Sequence, residues 1–157
     1  MKKTTFLVRS AAVAAMYVAL TYLSFAFGLA NQAVQLRLSE ALCLLPCFMP
    51  EAVPGLFVGC LLANLLTGCA LWDIVFGSLA TLLAAILTRA LKNHRFLGCI
   101  PPIVVNALVI PPILYFVYGA EGTYLYFTFT VFMGQLLSCG ILGQAVYSAF
   151  SKIKKYI

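Results

Sequence analysis

The sequence predicts an all-α integral membrane protein, a single domain over 1–157 that crosses the bilayer six times with its N- and C-termini cytoplasmic. Three observations lead there. Hydrophobic residues make up 64% of the 157 and charged residues 9%, with a mean hydropathy of +1.05. Soluble domains carry about 25% charged residues, and so few charges cannot cover a water-facing surface. Nine of the ten cations fall in three clusters: Lys2, Lys3 and Arg9; Arg89, Lys92 and Arg95; Lys152, Lys154 and Lys155. The positive-inside rule makes all three cytoplasmic, so an even number of spans separates each from the next. Finally, Pro46, Pro50 and Pro54 interrupt the apolar run from Glu40 to Thr67. That run therefore counts as two arms of a hairpin. At about 20 residues per span, the chain has room for five or six spans and no soluble domain.

The expected spans are residues 10–28, 39–49, 51–67, 73–90, 97–118 and 124–150. In the first, Lys2 and Lys3 before an apolar run resemble a signal peptide, but the run continues to Gly28 and further spans follow, so it reads as a retained helix. Ala11, Ala15 and Ala19 recur every fourth residue and line one stripe, where small side chains let another helix approach. Leu29 to Leu38 mixes Asn31, Gln32, Gln35 and Arg37 with apolar residues and is too polar to span. Ser39 is placed to cap the next helix, with Glu40 in its first turn, where the helix dipole favours an anion. This descending arm is too short to cross as an α-helix. It is expected to be longer, tilted or irregular, and shielded by protein. Pro50 and Glu51 suit the start of the rising arm.

Trp72 marks an interface, and Asp73 can cap the fourth span, whose Gly77, Ala80, Ala84 and Ala85 permit close packing. Pro101 and Pro102 open the fifth span, Asn106 lies near mid-depth, and Pro111 and Pro112 bend the helix. The sixth span is kept slim by Gly134, Gly140 and Gly143 and carries Gln135.

Several functions are excluded or disfavoured. The net charge of +6 reads as a topology signal, not a nucleic-acid footprint. No GxxxxGK[ST] phosphate loop and no Ser/His/Asp set is present, so an enzyme is not expected. The six cysteines sit in or beside apolar runs without a CxxC pair, and His94 is the sole histidine. No metal site or cofactor is expected, and the cysteines read as small hydrophobes. What remains is a set of polar and aromatic residues that the topology gathers toward the outer half: Gln35, Arg37, Glu40, Asn64, Trp72, Asp73, Tyr115, Tyr118 and Tyr124, with Asn106 and Gln135 deeper. An ionised side chain costs about 2.5–3.5 kcal/mol at a helix centre, so Glu40 at the lip of an apolar run points to use. Carboxylates, amides and flat rings suit a small planar solute.

Gln35-Leu36-Arg37-Leu38-Ser39-Glu40-Ala41-Leu42, with Leu45-Pro46, Pro54-Gly55-Leu56-Phe57, Gly59 to Leu66 and Asp73 to Thr81, resembles the QueT family. These are queuosine-precursor-specific substrate-binding (S) components of energy-coupling factor (ECF) transporters. The likeness is specific from Gln35 to Thr88 and looser beyond. It implies a six-helix S-component bundle in the bacterial cell membrane that binds its solute from outside. It also implies partners: a transmembrane coupling protein, docked through Ala11, Ala15 and Ala19, and two ABC ATPase subunits. The implied solute is a 7-deazaguanine. Its ring N–H and exocyclic amine suit a carboxylate, and its flat ring suits stacking on Trp72 or a tyrosine. Glu40 and Asp73 are then expected to take the donors, Asn64 to add an amide contact, and Arg37 to orient Glu40 or meet the ring carbonyl. Two other readings are an S component for thiamine or a biotin-like vitamin, and a small channel or structural membrane protein without a specific solute.

Overall fold

The computed structural model describes residues 3–29, 36–94, 96–119 and 122–154, and the regular elements among them are all helical. They are α1 (Lys3–Ala26), a 3-10 helix (Leu38–Cys47), α2 (Ala52–Leu66), a π turn (Asp73–Gly77) leading into α3 (Ser78–Ala90), and a 3-10 turn (Leu97–Cys99) leading into α4 (Ile100–Phe116). Then come α5 (Tyr124–Gln135), a second π stretch (Leu136–Leu142) and α6 (Gly143–Lys154). Four continuous helical stretches are long and apolar enough to cross a membrane: Lys3–Ala26, Asp73–Ala90, Leu97–Phe116 and Tyr124–Lys152. The first begins at Lys3, not Ser10. Arg9 is accommodated inside the helix because it faces Glu51 at 3.3 Å, the one ion pair among the described residues.

The proline-rich segment doubles back, and its descending arm is irregular in a specific way. Leu38–Cys47 is a ten-residue 3-10 helix with Pro46 inside it. Such runs rarely exceed three or four residues, so tertiary packing must hold this one. Every residue from Ser39 to Cys47 is buried. At about 2.0 Å rise per residue, ten residues travel about 20 Å. The fifteen residues of α2, at 1.5 Å each, travel about 22 Å. Stretching into the tighter spiral thus lets the shorter arm match the longer one. Its lower end is capped by Arg89, whose Nη1 donates to the carbonyls of Pro46 at 2.9 Å and Cys47 at 3.3 Å. Arg89→Ala leaves both carbonyls without that charged donor and is expected to cost about 2 kcal/mol. Thermal unfolding of the purified protein measures it, and an unchanged melting temperature would remove this role.

Two expected caps are not formed. Arg37, not Ser39, precedes the 3-10 helix, without a side-chain cap. The Ser39 hydroxyl instead meets Thr21 Oγ1 at 2.9 Å. Asp73 caps nothing. The helix has already started at Leu71, and the Asp73 side chain turns to Tyr118.

α1 packs on α2 through Gly55 and Gly59, a GxxxG spacing that brings backbones together. A Cβ on Gly59 would stand 2.7 Å from Tyr17 Cβ and 3.1 Å from Ala14 Cα; one on Gly55 would stand 2.7 Å from the Ser10 carbonyl oxygen. Ala14 is thus the α1 alanine used inside the protein, while Ala11, Ala15 and Ala19 are exposed.

Candidate functional site

The site is built from α1 outward. Val13, Tyr17, Thr21 and Ser24 are buried on one face of α1. The three polar members stitch it to the start of the 3-10 helix. Ser24 Oγ accepts from Leu38 N at 2.9 Å, Thr21 meets Ser39, and Tyr17 donates its phenol to Glu40 Oε1 at 2.6 Å. The other carboxylate oxygen of Glu40, Oε2, accepts from the Cys43 thiol at 3.0 Å. Glu40 is only 3% exposed. A carboxylate has about four acceptor positions, so two remain after these bonds.

Glu40 lies on the wall of a cavity lined by Arg37, Cys60, Gly77, Thr81, Asn106, Ile110, Val131 and Gln135. The 3-10 helix, α2, α3 with its π turn, α4 and α5 all contribute. The space open to the centre of a water molecule is about 20 Å³, enough for one or two waters. A bicyclic base enters only if lining side chains swing aside. Ile110, Val131 and the bare face of Gly77 supply the apolar lining. Both π segments adjoin the cavity: Gly77 ends the first and Gln135 precedes the second. Such bulges are frequent at functional sites.

Behind Gly77 stand two more polar groups. A Cβ on Gly77 would lie 3.2 Å from both Asn64 Nδ2 and Asp73 Oδ1. Asn64 Nδ2 donates to the Asp73 carbonyl at 3.3 Å and to Cys60 Sγ at 3.6 Å, tying α2 to the π turn. Thr81 Oγ1 donates to the Gly77 carbonyl at 3.0 Å and meets Cys60 Sγ at 3.4 Å. Asp73 Oδ2 accepts from Tyr118 at 3.2 Å, and Tyr118 in turn accepts from Ala70 N at 2.9 Å. Burial works against the Arg37 charge. The Asp73 carboxylate, ahead of Glu40, more than restores it, and the guanidinium pKa stands above its usual value.

Among the described residues three buried side-chain atoms have no hydrogen-bond partner: the acceptors Asp73 Oδ1 and Gln135 Oε1, and the Ser138 hydroxyl. Native proteins pair nearly all such atoms. An orphaned pair beside a cavity marks where a bound molecule would supply donors.

The structure brings Arg37, Glu40, Asn106 and Gln135 to the cavity and sets Asn64 and Asp73 immediately behind it. Trp72 and Tyr115 do not reach it. Trp72 is 57% exposed and stacks on Phe76 at 5.7 Å, in an outer groove with Pro112, Ile113 and Val117. Tyr115 is exposed and meets Phe116 edge-on. Neither ring is placed to stack on a molecule in this cavity, whose apolar lining is Ile110, Val131 and Gly77. Gln35 lies outside the described residues. Of the two roles expected for Arg37, orienting Glu40 is taken by Tyr17 and Cys43, which hold that carboxylate, while Arg37 itself lines the cavity.

The family model described as QueT transporter matches residues 7–152, nearly the whole chain. The chain belongs to the QueT transporter family. No curated protein and no solved structure matches it. Membership makes this a membrane protein with a transport role, in accord with its four long apolar helices. For a QueT-family chain, the informative misses of the sequence reading are Tyr17, Cys60, Gly77 and Thr81. Tyr17, Thr21 and Ser24 form a polar stripe at positions i, i+4 and i+7 of an otherwise apolar helix. That stripe was the available signal for the Glu40 anchor. Nothing comparable singles out Cys60 or Gly77 along the chain.

Proposed function

We propose that this QueT-family protein is the solute-capturing S component of an ECF-type ABC importer in a bacterial plasma membrane. Its solute is a queuosine precursor of the 7-deazaguanine type: the nitrile preQ0, the aminomethyl preQ1, or queuine. It acts as a carrier, not an enzyme. The chain crosses six times, the hairpin arms counting as two spans, with both termini cytoplasmic as the cation clusters require. The exposed Ala11, Ala15 and Ala19 offer a small-residue face to the transmembrane coupling protein, and two ABC ATPases supply the work.

The observation that carries this reading is the buried cavity where Glu40, Arg37, Asn106 and Gln135 converge. A carboxylate accepts the ring N–H and exocyclic amine of the guanine-like edge side by side. The guanidinium donates to the ring carbonyl, and the amides complete the rim. A channel or scaffold has no use for an enclosed polar site of this kind. The test is a ligand panel on purified protein, scored by thermal shift, with thiamine and biotin beside the deazaguanines. A tight ligand raises the melting temperature by mass action. Deazaguanines alone are expected to do so. A shift with thiamine or biotin and none with deazaguanines would reject the solute. Absence of ATPase subunits from affinity-purified native membranes would reject the importer.

A further inference from the structure

Little separates the cavity from its surroundings along the seam between α3 and α4. One closing contact is Ile110 Cδ1, which lies 3.9 Å from where a Cβ on Gly77 would stand. Next along the seam the two helices do not pack. Trp72 and Phe76 line an open groove of about 250 Å³ with Pro112, Ile113 and Val117. Beyond the groove a single hydroxyl spans the gap. Tyr118, just past the end of α4, accepts from Ala70 N at 2.9 Å and donates to Asp73 Oδ2 at 3.2 Å.

The two sides of the seam differ in how firmly they are held. The Asn64 carbonyl accepts from Cys69 N at 3.0 Å, and Asn64 Nδ2 donates to the Asp73 carbonyl at 3.3 Å, which clasps the 67–72 link to α2. On the other side, Pro111 and Pro112 lie inside α4. The carbonyls of Ala107 and Leu108 therefore lack their i+4 donors, and the helix can bend there. From Tyr115 to Tyr118 every residue is at least 40% exposed. A segment with a pivot, few buried contacts and exposed bonds opens at low cost.

We infer that the end of α4, residues 113–118, is a gate that swings at Pro111 and Pro112, and that Tyr118 is its latch. Releasing the hydroxyl frees this segment to leave α3, joins the groove to the cavity past Ile110, and gives a bulky molecule a way in. Tyr118 does not line the cavity; it acts on access. That the molecule is a transported solute rests on the reading above.

Cys60 reports the gate without any solute. Its thiol lines the cavity in a residue 1% exposed. The closed cavity has room for a water or two, so methyl methanethiosulfonate reaches Cys60 only when the wall parts. Cys139, fully buried and off the lining, is the internal control. Peptide mass spectrometry of the purified protein follows both thiols. Tyr118→Phe keeps the ring and drops both bonds. It is expected to speed modification of Cys60 about 10-fold with Cys139 unchanged. Pro112→Ala restores a donor to the Leu108 carbonyl, stiffens the pivot and should slow Cys60 severalfold. Stopped-flow binding of a 7-deazaguanine to Tyr118→Phe should show faster association as well as faster release, whereas loss of a pocket contact acts on release. An unchanged Cys60 rate in Tyr118→Phe, equal acceleration of Cys139, a Pro112→Ala protein as reactive as the parent, or faster release without faster association would each overturn the gate and leave the importer standing. A parent that binds no deazaguanine would overturn the importer, and the Cys60 rates would still decide the gate.

Discussion

Glu40→Gln is expected to weaken binding of every deazaguanine by about 100-fold or more. The carboxylate is the one anionic group that lies on the cavity lining itself. Its remaining lone pairs can meet two adjacent N–H groups at once. A glutamine keeps the shape but has one acceptor oxygen and an NH₂ group. Whichever way the amide turns, its NH₂ replaces one acceptor oxygen, set against the Tyr17 phenol in one orientation and the Cys43 thiol in the other. The aminomethyl and nitrile compounds should suffer alike, because they share that edge. Calorimetric titration of Glu40→Gln against both compounds reads the pattern. Unaltered affinity in Glu40→Gln would show that the carboxylate serves only to hold α1, through Tyr17, against the 3-10 helix.

Gly59→Leu is expected to be the most damaging substitution for the fold. Its Cβ alone would stand 2.7 Å from Tyr17 Cβ and 3.1 Å from the Ala14 backbone. These are stiff parts of a helix and cannot rotate away. α1 must withdraw from α2, and overpacking of this sort costs about 1–3 kcal/mol and sometimes more. The displacement also pulls Tyr17 off Glu40, so stability and solute binding should fall together. Gly140→Ala is the control: its nearest neighbour would be Leu136 at 3.4 Å, an ordinary contact. Size-exclusion behaviour and thermal unfolding in detergent compare the two. If Gly59→Leu melts with the parent, close contact of α1 and α2 is not what holds the α1 face in place.

Much of the outline was legible along the chain. The helical runs at 73–90, 97–118 and 124–150 fall within a few residues of those observed, because long apolar stretches bounded by prolines, glycines and cations leave little choice. The doubling back at Pro46–Pro50 followed from charge parity between the cation clusters. Less legible was how ten residues could match the reach of the rising arm. The answer lay in a 3-10 spiral that local propensity does not favour and that burial of nine successive residues sustains. The N-terminal boundary was missed because hydropathy placed it after Arg9, and the partner that admits Arg9, Glu51, is forty-two residues away.

By itself, then, the sequence determined the class of protein, the helical runs, the hairpin and the membership in a transporter family. It also supplied most of the polar residues from which a site could be chosen. Only the tertiary structure decided which of them meet. In water, the apolar stripe of a helix announces the side that turns inward. In lipid the outside is as apolar as the core, so a helix such as α4, hydrophobic all round, does not declare which way Asn106 or Tyr115 points. Helix-to-helix packing fixed those rotations. It turned Asn106 and Gln135 onto the cavity, left Trp72 and Tyr115 outside it, and set Asp73 behind a glycine with one oxygen free.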